Sequence, residues 1–349
     1  MRILVVRLSA LGDLIHTLPV VAALRRSFPD AEIDWLVDER FRALVDLVPV
    51  VDRAVTLPRF GVEAWRVCRE LRRRRYDVAI DVQGLLKSAV AARLVRPGRV
   101  IGFAAADLRE PAARWMHTES VAVPPATHVV AKNLALVSHL LGGAEQVKWE
   151  FPIEVSEEAT RRDIGVLLGL SDREDFVLLN PGTAWPSKCW DASRYGQLAQ
   201  RLLETHGLRS AVSWGPGEET LARSVSDEAA GAAVLLPETG IADLAAYLRA
   251  ASVVVAGDTG PLHLAAALGT PVVGIYGPSD PDRNGPWSPD DCVVSRYAEC
   301  QCRIDRQKSG ARGVVVRRCA RPLSCLDDVG VDEVAAAVER RLGQRVTDA

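Results

Sequence analysis

Short continuous apolar runs alternate with longer stretches of helical period along almost the whole chain. In the first half the runs are ILVVRL (3–8), EIDWLVD (32–38), RAVTLP (53–58), YDVAIDV (76–82) and RVIGF (99–103). Between them lie LPVVAALRRSF (18–28) and GLLKSAVAARLV (84–95), and HVVAKNLALVSHLLG (128–142) follows them. A polar connector near 143–175 separates this series from a second one: FVLLNPG (176–182), LRSAVSWG (208–215), AAVLLPE (232–238), ASVVVAGD (251–258) and TPVVGIYG (270–277). Buried strands interleaved with helices predict parallel sheets joined by right-handed crossovers. The pattern predicts an α/β chain of two doubly wound domains, residues 1–160 and 161–330. A last helix within 331–349, VDEVAAAVERRLG (331–343), is free to pack back on the first domain.

A length of 349 residues suits two such domains better than one core. The formal net charge of −2 gives no global attraction to nucleic acid. No segment reaches the roughly 18–20 apolar residues of a membrane span. MRILVVRLSALGD reads as a first strand rather than a signal peptide, so a cytoplasmic protein is expected. Seven cysteines in a chain of this size do not make a disulfide scaffold.

In open parallel sheets ligands sit outside the carboxyl ends of the strands, and four motifs fall there. In RLSALGDLIHTLP (7–19), Asp13 follows the first strand. It suits a helix cap, and equally a general base. The loop lacks the G-x-G-x-x-G fingerprint of nicotinamide enzymes. In NPGTAWPSKCW (180–190), a Gly loop, the Thr183 hydroxyl and Lys188 offer what a diphosphate needs, although Lys188 also suits a solvated helix flank. In SWGPGEETLA (213–222), Glu218 or Glu219 can accept from ribose hydroxyls or complement a helix dipole. In VVVAGDTGPLHLAAALGTPVVGIYGPSDP (253–281), a strand delivers Asp258, Thr259 and Gly260 to a helix start, with Pro261 at a first-turn position and His263 beside them.

AGDTGPLHLAAALGTPVVGIYGPSDP resembles the donor-site signature of glycosyltransferase family 9. RLSALGDLIHTLP, DWLVDE (34–39) and DVQGLLKSA (81–89) resemble the family's heptosyltransferase I branch more than its heptosyltransferase II branch. The likeness runs from residue 1 to about 290, with the motifs in the family's order and spacing. It implies a GT-B fold, two Rossmann-like domains facing a central cleft. It implies inverting, metal-independent transfer of L-glycero-D-manno-heptose from ADP-heptose to the Kdo of Kdo-bearing lipid A, at the inner membrane surface, in lipopolysaccharide core biosynthesis. No cofactor and no nucleic acid enters, and no D-x-D metal motif stands where a metal-dependent transferase needs one. Carried over by position, Asp13 matches the catalytic base. Thr183, Lys188, Glu218, Asp258, Thr259, Gly260 and His263 match donor-binding residues. Ala184 departs from the family in lacking a hydroxyl. For an anionic acceptor the resemblance favours Arg59, Arg66, Lys87 and Arg109, while the run RRRR (72–75) reads as a solvated helix end. Heptosyltransferase II or another family 9 transferase for a different surface glycan is the nearest alternative. A nucleotide-sugar epimerase and a non-catalytic nucleotide-sugar binding protein are more distant ones.

The stretch 290–325 departs most. Cys300, Cys302, Cys319 and Cys325 lie within 26 residues as C-x-C-x16-C-x5-C. That spacing is no standard zinc pattern, yet four cysteines so close are unusual in a cytosolic enzyme. Shared descent is one reading and a structural metal or redox role another.

Overall fold

A computed structural model describes residues 1–59, 61–125, 127–143, 148–155, 158–170, 175–309, 316–319, 321 and 324–347. The chain divides into two compact units, Met1–Glu154 and Val155–Ala349.

The first unit is built on strands β1 (Arg2–Val6), β2 (Glu32–Val37), β3 (Arg53–Thr56), β4 (Val78–Asp81), β5 (Arg99–Phe103) and β6 (Glu119–Val121). Its helices are α1 (Leu11–Ile15), α2 (Leu18–Ser27), α3 (Arg42–Val45), α4 (Val62–Leu71), α5 (Leu86–Leu94) and α6 (Val129–Leu140). The sheet order is β3-β2-β1-β4-β5-β6, and every neighbouring pair is parallel. A parallel sheet covered on both faces needs strands that are apolar throughout, and β1 reads RILVV with all but its first residue buried. Leu4, Val6 and Leu36 pack with Ala64, Cys68 and Leu71 of α4. Asp34 is fully buried, and its Oδ2 accepts from the Tyr76 hydroxyl and from Arg53 at 2.8 Å. At the far side of this sheet the His117 ring lies where a Cβ on Gly102 would stand, which explains a glycine inside β5.

The second unit repeats the plan with β7 (Phe176–Asn180), β8 (Arg209–Val212), β9 (Ala233–Leu235), β10 (Val253–Gly257), β11 (Val272–Tyr276) and β12 (Cys292–Ser295). Its helices are α7 (Glu158–Leu168), α8 (Ala192–His206), α9 (Glu219–Glu228), α10 (Ile241–Ala250), α11 (Gly260–Ala267), α12 (Pro281–Asn284), α13 (Gln301–Lys308) and α14 (Val331–Thr347). The order is β12-β11-β10-β7-β8-β9, again parallel throughout. In α8 the buried residues Tyr195, Leu198, Ala199 and Leu202 recur at helical spacing. Asp191 caps its start by accepting from the Ser193 N–H at 2.8 Å, and Gly207, at φ 67°, closes its end.

The stretch read as a polar connector contains a helix, α7, whose Ile164 and Leu168 are buried. The last helix, α14, lies in the second unit, where Val334, Ala335, Ala337 and Val338 join the core around Trp190 and Tyr195. The Trp190 indole N–H donates to the Val329 carbonyl at 3.1 Å, fixing the approach to that helix. Among the described residues no helix is long and apolar enough to cross a membrane.

Candidate active site

Each sheet reverses its winding once, between β1 and β4 in the first unit and between β7 and β10 in the second. Ligand crevices in doubly wound sheets open at such points.

In the second unit the β7–α8 and β10–α11 loops meet at this point. Lys188 Nζ is hydrogen-bonded to Asp258 Oδ2, and the two side chains are 18% and 4% exposed. The other carboxylate oxygen accepts from His263 Nε2 at 3.2 Å and from Asn284 Nδ2 at 2.7 Å. Burial works to raise the Asp258 pKa. The hydrogen bond from His263 and the Lys188 charge outweigh it and hold the carboxyl well below the usual range. Asp258 therefore stays ionised and is spoken for on both oxygens. It is a scaffold for Lys188 and His263 and not itself a contact for an anion.

Around this pair the hydrogen-bond donors are arranged for a negative group. Thr259 is the residue before α11, and its buried hydroxyl has no partner among the described residues. The N–H groups of the first turn of α11, which begins at Gly260, are the unsatisfied donors of a helix start. Lys188 sits 4.6 Å over the Trp185 ring, which limits where its ammonium can go. Thr183 donates its hydroxyl to the Trp185 carbonyl at 2.7 Å and so shapes the same loop. Gly257 is glycine because a Cβ there would stand 2.9 Å from the Lys188 carbonyl. Glu218, after β8, accepts from the Gly215 N–H at 3.0 Å, and its carboxylate lies against Gly182, where a Cβ would be 2.0 Å away. All seven residues expected to bind the donor thus lie in the loops or first helical turns that follow strand ends of one unit. Asn284 and Trp185 join them, although neither was singled out from sequence.

In the first unit Asp13 occupies the third position of α1. Its Oδ2 accepts from the Ala10 N–H at 3.2 Å, and its Oδ1 pairs with Arg7 at 2.6 Å. Arg7 is the buried member, its side chain 8% exposed, while that of Asp13 is 46% exposed. Arg7 also donates to the Val82 carbonyl at 2.6 Å, and Gln83 Oε1 accepts from the Leu8 N–H at 2.8 Å. The loops after β1 and β4 are thereby tied together, and the Asp13 carboxylate faces outward with a fixed counter-charge behind it. Capping and presentation to solvent are both satisfied by one geometry.

The expected acceptor-binding residues are all exposed. Arg59 follows β3, Arg66 lies on α4, Lys87 in the first turn of α5 and Arg109 after β5. Glu110 accepts from the Leu86 N–H at 2.7 Å, which brings the Lys87 and Arg109 loops together. Arg59 and Arg66 have no such tie among the described residues.

The family model of glycosyltransferase family 9 (heptosyltransferase) matches residues 64–312. The chain is 32% identical over 300 residues to lipopolysaccharide heptosyltransferase 1 of Pseudomonas aeruginosa, covering 82% of this chain and 81% of that one. Its fold is similar to that of the family 9 glycosyl transferase of Veillonella parvula, with a TM-score of 0.80 at 21% identity over 98% and 97% of the two chains. It is also similar to the Escherichia coli heptosyltransferase WaaC solved with ADP, with a TM-score of 0.73 at 25% identity over 98% and 100%.

The Lys188–Asp258 pair sets a test. Asp258→Asn leaves a mostly buried ammonium without its counter-charge, and at neutral pH this should cost about 2–3 kcal/mol of stability, below the full loss of a dry pair because Lys188 reaches solvent. A carboxyl whose folded pKa is depressed stabilises above its unfolded value, near 3.8 here, and that stability is lost as pH falls further. The difference in thermal midpoint between the wild type and Asp258→Asn should therefore be full well above pH 3.8 and narrow below it. A difference that stays constant into acid would show that Asp258 is not held as the ionised partner.

Proposed function

Because the chain belongs to glycosyltransferase family 9, the heptosyltransferases of lipopolysaccharide core biosynthesis, we propose that it transfers L-glycero-D-manno-heptose from ADP-heptose to the first Kdo of Kdo-bearing lipid A, as a cytoplasmic enzyme working at the inner membrane surface. The observation that carries this reading is the meeting of the β7–α8 and β10–α11 loops in the second unit. There Lys188, pinned by Asp258, shares a helix start with a buried Thr259 hydroxyl that has no partner among the described residues. A leaving diphosphate needs a fixed cation and fixed N–H and O–H donors.

In this reading the ADP-sugar binds to the second unit. Lys188 and Thr259 take the diphosphate with the first turn of α11, where Gly260 leaves the backbone open to it. Thr183 shapes the loop and Glu218 accepts from the ribose. His263 and Asn284 hold Asp258, and through it Lys188. Asp13 takes the proton from the acceptor hydroxyl as that oxygen attacks the anomeric carbon on the face opposite the ADP, which inverts the centre. Arg59, Arg66, Lys87 and Arg109 meet the negative charges of the acceptor. Charge on the departing ADP is offset by protein groups, and no divalent ion takes part.

The direct test supplies ADP-heptose and Kdo-bearing lipid A in the presence of EDTA and scores ADP release and product mass. Product one heptose heavier is expected. Activity that vanishes in EDTA and returns with magnesium would contradict the leaving-group account, and product only on an acceptor that already carries heptose would move the chain to the heptosyltransferase II branch.

Lys188→Ala should weaken ADP binding roughly ten- to a hundredfold, since a hydrogen bond to a charged group contributes about 1.5–3 kcal/mol. Calorimetric titration that finds the wild-type affinity would remove Lys188 from the site.

Asp13→Asn should lower kcat by about 10²–10⁴-fold, the usual contribution of a general base, with the KM for ADP-heptose nearly unchanged. The asparagine keeps an oxygen for the Ala10 N–H but withdraws the charge that faces Arg7. A purely structural Asp13 would show a lowered thermal midpoint and an intact kcat, and that pairing of results would end the general-base assignment.

A further inference from the structure

Asp81 ends β4, and His117 follows the short helical turn Pro111–Met116 in the connection from β5 to β6. Both side chains are 0% exposed, and no step of the proposed reaction uses either. His117 Nε2 lies 3.0 Å from Asp81 Oδ2. A carboxylate only accepts, so the imidazole supplies the hydrogen. This is the ring's one hydrogen bond among the described residues, since Nδ1 is buried without a partner there. The other carboxylate oxygen, Oδ1, accepts from the backbone N–H groups of Gln83 at 3.2 Å and Gly84 at 3.0 Å. A carboxylate this deep is costly to bury unless its oxygens are used. Here two of its three donors are the backbone of the turn that follows β4.

That turn holds the loop after β1. Gln83 Oε1 accepts from the Leu8 N–H at 2.8 Å, the Val82 carbonyl accepts from Arg7 at 2.6 Å, and Arg7 pairs with Asp13 at 2.6 Å. The other end of the turn runs into α5, where the Leu86 N–H donates to Glu110 and Lys87 follows. His117 stands on the connection that also carries Arg109 and Glu110. The β5–β6 connection therefore grips the turn twice, through Glu110 at the surface and through His117 and Asp81 in the interior.

We propose that Asp81 and His117 are positioning residues for the transfer: His117 holds the Asp81 carboxylate, Asp81 shapes the β4–α5 turn, and the turn fixes Asp13 through Leu8 and Arg7. This rests on the reading of Asp13 as the general base. A base acts only on a proton within hydrogen-bond reach, and a misplacement of about an ångström costs up to about a hundredfold in rate. His117 also packs on Gly102, where its ring fills the place of a Cβ. Any ring of that size serves for packing. The hydrogen on Nε2 is what packing does not require and what the turn does.

His117→Phe and His117→Gln separate the two roles. Phenylalanine keeps a ring against Gly102 and loses the N–H, whereas glutamine loses the ring and places an amide N–H where Nε2 stands. Transfer is followed in the full chain with ADP-heptose and Kdo-bearing lipid A. His117→Phe should lower kcat by about ten- to a hundredfold, with the KM for ADP-heptose and the affinity for ADP unchanged. His117→Gln should recover most of that loss. Amide hydrogen exchange, read without substrate, should show the Leu8, Gln83 and Gly84 N–H groups losing protection in His117→Phe and keeping it in His117→Gln. The exchange does not depend on which sugar is moved. A wild-type chain without heptosyl transfer would remove the proposed function and leave the exchange to decide the linkage. Wild-type kcat in His117→Phe, a glutamine variant more impaired than the phenylalanine one, or exchange that quickens at Gln83 and Gly84 while Leu8 keeps its protection would each overturn the proposal. A fall in ADP affinity in step with kcat would show a merely structural pair and overturn it too.

Discussion

The ion pair between Lys188 and Asp258 is the constraint on which the second unit's crevice depends. A carboxylate at 4% exposure is costly to bury unless every lone pair is used. Here Lys188 takes one oxygen while His263 and Asn284 take the other. Those three side chains come from three connections, after β7, after β10 and after β11. One buried acid therefore fixes three loops relative to each other. Lys188 has three N–H donors, of which Asp258 occupies one. The remaining ammonium hydrogens are left for a ligand at a known position, so the rotamer freedom of a long side chain is already lost before binding.

The first unit uses the same device with the roles exchanged. At its own reversal point the arginine is the buried member and the acid is the exposed one. In each unit the inner charge is tied to the scaffold and the outer charge is presented: Asp13 by Arg7, Lys188 by Asp258. In the proposed reaction the outer members are the base and the leaving-group cation, and the inner members position them. The asymmetry has a physical reason. A general base must accept a proton, which an exposed carboxylate with a free approach can do. A cation for a diphosphate gains from a partly dry setting, where its charge is less screened.

Much of this was legible in the sequence because the long central strands are apolar throughout and end in Gly, Asp, Thr or Lys. What escaped was short or non-local. β6 and β12 are edge strands of three and four residues, ESV and CVVS, too brief for a periodic signal. α7, EATRRDIGVLL, was hidden by its charged first half, and its buried Ile164 and Leu168 lie in its second half. Arg7 stood inside a motif that was read for Asp13 alone. Its role became visible only when the Val82 carbonyl, 75 residues away, was found beside it. Asn284 lies just beyond the donor-site motif that ends at Pro281, and an asparagine before a glycine reads as a turn until the fold brings Asp258 to it.

The sides of the proposed reaction differ in stiffness. Most of the residues read as holding the ADP-sugar, Thr183, Lys188, Glu218, Asp258 and His263, bond to one another or to backbone, so their positions are set before a ligand arrives. Arg59, Arg66, Lys87 and Arg109 are exposed cations on separate loops and helices. Such charges are individually worth little and are screened by salt. In the proposed reaction they meet an anionic acceptor by their sum, without demanding one arrangement of phosphates or carboxylates. In the proposed reaction the donor side is therefore the stiffer of the two, and the acceptor side the more tolerant of differences among acceptors of similar charge.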